Sequence, residues 1–226
     1  MFKTYIPHYT KLVERKINAQ NQLDSAGITD YEFIKEFDKE DLNLRIINKY
    51  YNRDPKEVLR RASITLNKHN KTTYDYPELS LASISLCMKH IVCLDKFIKS
   101  DSYYALILED DFNFINQFNI NDILIKAPSD WDIIFVGGAF DHGIISEKGR
   151  NDNYILADHP ATNTTSSFIY NRKSAVKTRA AMQDFCLPID WELNYNFHLN
   201  DFNVYHTLPY VANQLSGSNF QGTVAR

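Results

Sequence analysis

The chain has 226 residues, 44% of them apolar, enough to bury a sizeable core as one domain spanning residues 1–226. A net charge of −3 and a pI near 6.2 argue against the strongly basic face that a nucleic-acid binder presents. No stretch approaches the roughly 18 uninterrupted apolar residues of a membrane span. No signal peptide opens the chain either, so a cytoplasmic or cytosol-facing protein is expected.

Phe2–Ile6 reads as a short strand, and Thr10–Ala26 as a helix closed by Gly27. Tyr31–Lys35 alternates as a second strand, and Asp41–Tyr51 is amphipathic and helical. Asp54-Pro55 offers a cap and a first-turn proline for another helix. The polar stretch Asn67–Tyr76 reads as a loop. Pro77–Ser100 is the longest helix and is apolar on most faces, which predicts a central, buried position. An apolar strand then runs into Glu109-Asp110-Asp111. A helix near Asn121–Lys126 and a strand Asp132–Val136 ending in Gly137-Gly138 follow. Residues 139–163 read as an irregular loop, Ser166–Tyr170 as a strand and Arg172–Phe185 as a helix capped by Asn171. Asp190–Asn200 is helical, Val204–Tyr205 a brief strand, and Leu215–Arg226 a Gly/Ser-rich coil. Alternating strands and helices predict a mostly parallel sheet with helices on both faces. In such a sheet, ligands sit at the carboxyl ends of the strands.

Glu109-Asp110-Asp111 stands at such an end, and no basic residue is adjacent in sequence. Clustered anions repel one another and resist desolvation, so folding alone has no use for them. A divalent cation does: Mg²⁺ or Mn²⁺ takes one or two carboxylates and completes its octahedron with phosphate oxygens and water. If the strand continued, Glu109 and Asp111 would share a face. The alternative is a solvated acidic loop. Asp190 and Glu192, after Pro188, are either helix-capping acids or a general base for an acceptor hydroxyl. His206 and His198 are candidates for a third metal ligand, whereas His90 in the long helix reads as a core histidine. Arg15 either neutralises a phosphate or faces solvent, and His8 either stacks on a base or sits in a loop. Gly137-Gly138 either admits a close-lying ligand or turns the chain. Cys87, Cys93 and Cys186 lack CxxC spacing and read as reduced core thiols.

These residues resemble glycosyltransferase family 25. Ser83-Ile84-Ser85-Leu86-Cys87-Met88-Lys89-His90, then 17 residues, then Leu108-Glu109-Asp110-Asp111, is similar to the family's G-E-I-G-C-x-x-S-H helix followed by L-E-D-D. Ser83 stands where the family has Glu, and Lys89-His90 replaces Ser-His. Tyr5-Ile6-Pro7-His8 through Leu12-x-x-Arg15, Trp131–Gly137, Ser167–Tyr170 with Ser174-Ala175, Pro188-Ile189-Asp190, and Gln214 with Ser216 resemble further family elements.

The resemblance implies a GT-A-type, Rossmann-like α/β sheet that binds a UDP-sugar with Mn²⁺ or Mg²⁺. It implies inverting transfer of a hexose, galactose or glucose, to a glycan or glycoprotein acceptor, as in lipooligosaccharide biosynthesis. On that basis Glu109, Asp111 and His206 are expected at the metal, and Asp110 at the donor sugar or metal. Tyr5, Ile6, His8 and Arg15 are expected at the nucleotide, Asp190 as the base and Glu192 as its reserve. Two other classes stay open: an inactive transferase-like module for glycan binding or assembly, and a metal-dependent phosphohydrolase.

Overall fold

In a computed structural model, which describes residues 1–66, 78–137, 151–162 and 164–215, strand β3 (Tyr104–Leu108) is the axis of the fold. Its neighbours are β1 (Phe2–Pro7), which runs parallel, and β7 (Ser167–Asn171), which runs antiparallel. With both edges paired and both faces covered, every residue from Ala105 to Leu108 is fully buried. That explains the unbroken apolar run. The full path is β2-β1-β3-β7-β5-β8-β6, with β2 at Tyr31–Ile34, β5 at Ile133–Gly137, β6 at Tyr154–Leu156 and β8 at Val204–Thr207. Five of these seven strands point one way; β7 and β6 reverse. β4 (Phe112–Phe114) and β9 (Ala212–Gln214) pair antiparallel beside the path, and β9 also touches β5.

Successive strand residues serve opposite cores. Ala105 and Ile107 pack with α2 (Leu44–Tyr50), α4 (Leu81–Lys99), α6 (Arg172–Ala181) and α7 (Ile189–Leu199). Leu106 and Leu108 pack with α1 (Val13–Ser25) and α5 (Ile120–Lys126). Helices therefore cover both faces, and the α/β class expected from the sequence is the one found. Helix α3 (Pro55–Leu66) lies against α7. The long helix is central, as its apolar composition requires, and Ser80 caps it by accepting from the Ser83 amide.

Several boundaries differ from the sequence reading. Helix α6 stops at Ala181, and Met182–Asp184 form a 3-10 turn. Strand β6 lies inside the stretch expected to be irregular; its Tyr154-Ile155-Leu156 gains its partner only from β8, far along the chain. The short strands β4 and β9 are likewise created by each other. The loop at 67–76, most of 139–163 and the tail beyond Leu215 lie outside the described residues. No helix among the described residues is long and apolar enough to cross a membrane. All three cysteines are buried and free.

Gly137 is needed for packing rather than for ligand access. A Cβ there would stand 2.3 Å from the Ala212 carbonyl oxygen and 2.5 Å from Ser167 Oγ, where β5 and β9 meet. Gly137→Ala is expected to cost roughly 2 kcal/mol or more, read as a lowered denaturation midpoint, because backbone must move to relieve the overlap. An unchanged midpoint would mean that β9 does not lie against β5.

Candidate active site

The acidic motif is a turn. The Glu109 amide still donates to the Ser166 carbonyl at 2.9 Å, the last ladder step after β3. The chain then reverses as the Phe112 amide donates to the Glu109 carbonyl at 3.0 Å, leaving Asp110 and Asp111 in the middle. Glu109 and Asp111 thus do not share a strand face; the ladder ends before alternation can place them.

The chain supplies its own counter-charge. Arg15 Nη1 lies 2.9 Å from Asp110 Oδ1 and 3.3 Å from Asp111 Oδ2, and all three side chains are nearly buried. His8 Nδ1 stands 2.8 Å from Asp110 Oδ2; an ionised carboxylate only accepts, so His8 donates there. Gln214 Nε2 donates to both oxygens of Asp111, at 3.1 and 3.3 Å. Glu109 accepts from the Thr165 hydroxyl and lies 3.5 Å from Nε2 of buried His90, whose ring stacks on Phe168. Three carboxylates against one guanidinium leave about two uncompensated negative charges. Asp111 registers the excess. Burial first, then the charge of Glu109, pushes its carboxyl up to about 6, although Arg15 pulls the other way.

A cavity of about 340 Å³ opens over this floor. Its walls are the acidic turn, Pro7–Tyr9 at the end of β1, Arg15, Lys39, the first half of α4 and Gln214. Lys89 of α4 is buried and donates to Asp38 Oδ1 at 2.7 Å and to the Glu36 and Ile34 carbonyls at 2.9 and 3.4 Å. That pair fixes the segment after β2 against the helix.

Of the residues singled out from sequence, His8, Arg15, Glu109, Asp110 and Asp111 meet at this cavity. Tyr5 and Ile6 do not reach it: both are buried in the cores on opposite faces of the sheet, and the next residues, Pro7–Tyr9, take their place. His206 is a core residue too. Its ring stacks on Phe135 at 4.9 Å, and Nε2–H donates to the Ala161 carbonyl at 2.7 Å. Burial lowers its pKa to about 4, so it is neutral at pH 7. Glu192 is fully buried; Arg61 Nη1 sits 2.5 Å from it, and the Cys186 and Leu187 amides donate to its other oxygen at 3.1 Å. It anchors the first turn of α7 and does not face the cavity. Asp190, one residue before Trp191 on that turn, is half-buried, and its Oδ1 accepts from the Trp191 amide at 3.0 Å. Burial pushes its carboxyl up to about 7, and the charge of Glu109 adds to the rise.

Thr165 and Lys39 were not readable as site residues from local sequence, and Gln214 and Lys89 appeared there only as elements of the family resemblance. Thr165 arrives through the antiparallel β3–β7 pairing, and Gln214 through β9. The charged run from Lys35 to Asp41 after β2 was the one available signal for the lysine wall.

A divalent cation fits this floor. Among the described residues no three His, Cys, Asp or Glu side chains converge as a ready-made metal site. The floor nevertheless carries hard carboxylate oxygens and an excess of about two negative charges, the donor set of an ion completed by substrate oxygens.

The chain matches the model of glycosyltransferase family 25, described as an LPS biosynthesis protein family, over residues 1–190. It belongs to that family. The match spans the end of β1, Arg15, α4, the acidic turn and Asp190, so every wall of the cavity except Gln214 lies inside the family region. No curated protein matches the chain. Solved structures of similar shape include a Drosophila beta-1,4-galactosyltransferase 7 mutant in complex with manganese, UDP-Gal and xylobiose (9% identity, 96% of this chain, 71% of that one, TM-score 0.46). The galactosyltransferase LgtC in complex with donor and acceptor sugar analogs gives 10% identity, 96% of this chain, 87% of that one and a TM-score of 0.45. A197 from STIV gives 9%, 100%, 99% and 0.41. All three likenesses are distant.

The raised Asp190 carboxyl has a consequence for stability in this family 25 protein. The folded chain holds that proton up to about pH 7, whereas the unfolded chain releases it near the ordinary aspartate value. Between those limits the folded state binds more protons, so this group's contribution to stability falls as pH rises. Asp190→Asn keeps the acceptor for the Trp191 amide and removes the buried charge. It is expected to be more stable than the parent by roughly 1–2 kcal/mol at pH 8, discounted for partial exposure, with the gain gone by about pH 4. A gain that does not change with pH would contradict the raised carboxyl.

Proposed function

We propose that this protein transfers a hexose, galactose or glucose, from a UDP-sugar to a hydroxyl of a glycan or glycoprotein acceptor, with inversion and metal assistance. The observation that carries the proposal is the pairing of an acidic cavity floor, about two charges in excess, with a carboxyl held near pH 7 on the first turn of α7. Membership of a glycosyltransferase family supplies the reaction class.

In this reading Asp190 is the base. Its Oδ1 is held by the Trp191 amide, which leaves Oδ2 for the acceptor hydroxyl, and a carboxyl titrating near 7 is poised to take that proton at neutral pH. The oxygen freed of its proton attacks the anomeric carbon opposite the departing diphosphate. Glu109 and Asp111 would hold the metal, whose chemistry when bound is to offset the charge developing on the leaving group. Thr165 fixes Glu109, while Arg15 and His8 fix Asp110 facing the donor. The Arg61–Glu192 pair sets the pitch of the turn bearing Asp190. His206 has no part in this reading, because its ring nitrogens serve Ala161 and Tyr210.

Incubation with UDP-glucose, UDP-galactose and their N-acetyl forms in the presence of Mn²⁺ is expected to release UDP from one hexose donor, followed by chromatography. Release from none of the four would contradict the donor class. With a working donor, Asp190→Asn should bind it within about twofold of the parent yet turn over at least 100-fold more slowly, the signature of a group used only in the transition state. Unimpaired turnover would reassign the base.

A further inference from the structure

The cavity has a cationic wall as well as an acidic floor, and the ion pairs identify which cation is available. His8 and Arg15 are committed to Asp110 and Asp111. The Lys89 ammonium spends its three N–H groups on Asp38, Glu36 and Ile34. Besides Arg15 and Lys89, the lysine or arginine in the lining is Lys39.

The carboxylates around Lys39 are answered by other lysines. Glu36 pairs with Lys96 at 3.0 Å, Asp38 with Lys89 at 2.7 Å and Glu40 with Lys11 at 2.7 Å. Asp41 forms no ion pair with it either, and among the described residues Lys39 makes none. Its ammonium instead rests 5.3 Å from the centroid of the Tyr9 ring, another lining residue. Tyr9 is itself held by a hydrogen bond from its hydroxyl to Glu40. Such a cation–π contact keeps an ammonium in place without cancelling its charge.

We propose that Lys39 is the diphosphate-neutralising cation of this cavity, and that Tyr9 is the platform positioning it. The inference rests on the nucleotide-sugar reading above and deepens it. A diphosphate over the floor meets net negative charge from the acidic turn; a lysine in the same lining supplies a compact, mobile point charge to its outer oxygens. Arg15, the sequence candidate for that task, is already spent on the floor.

The test is calorimetric titration with inorganic pyrophosphate, UDP and uridine, in chelator without metal, on the parent, Lys39→Met and Lys39→Arg. Lys39 is half-buried and makes no ion pair among the described residues, so Lys39→Met should leave the denaturation midpoint unchanged. Pyrophosphate and UDP affinity should fall roughly 5- to 20-fold in Lys39→Met and recover in Lys39→Arg, while uridine binding stays the same. Equal pyrophosphate affinity in parent and Lys39→Met would overturn the assignment, as would a parallel loss of uridine. If the parent takes up pyrophosphate through Lys39 but not UDP, the lysine assignment stands and the nucleotide reading fails.

Discussion

The structure depends on one buried arrangement: the guanidinium of Arg15 between the carboxylates of Asp110 and Asp111. Three adjacent acids at the end of a buried strand would oppose folding if left alone, since each must lose water beside like charge. Arg15 removes enough of that cost for the turn to form. It does not remove all of it, and the residue of negative charge is what a divalent ion can use. The same pair ties α1, on one face of the sheet, to the carboxyl end of β3, so the floor's charge balance and the fold's first crossover are one device.

Around that centre, the chain spends other buried charges on holding walls in place. Lys89–Asp38 locks the segment after β2 to α4, and Arg61–Glu192 locks α3 to the first turn of α7. Removing one partner from such a pair strands the other in a dry environment, which costs more than the pair contributes. Lys89 lines the cavity, whereas Arg61 and Glu192 lie outside its lining. Asp111, in the cavity lining, and Asp190, on the first turn of α7, both have carboxyls pushed up by burial and by the charge of Glu109.

Much of this was legible in the sequence where the signal was local. The helix after β1, closed by Gly27 at φ 68°, and the proline-started α3 follow from capping, and the long α4 from its apolar pattern, although Ser80 starts it later than Pro77. The acidic run after an apolar strand located the floor. What local sequence does not carry is pairing across the chain. Strands β4, β6 and β9 are three residues each and exist because distant partners meet them. The same limit affected the site. Sequence shows Glu192 near Asp190 as two equivalent acids, but two residues of helix put them on different sides of α7, one half-buried and one clamped by Arg61. Alternation along β1 sends Tyr5 and Ile6 into opposite cores, so only the residues past the strand's end can line a cavity. His206 carries the right atoms for a ligand, yet a stacked ring between Phe135 and Tyr210 has no lone pair to offer the floor.

The central claim is that the acidic turn, short of positive charge by about two, completes itself with a divalent ion bridging to a diphosphate. Calorimetric titration of UDP into the protein with and without Mn²⁺ tests it most directly. UDP affinity is expected to rise at least tenfold with the metal, and Asp111→Ala should erase that difference. Equal UDP affinity with and without Mn²⁺ in the parent protein would contradict the account.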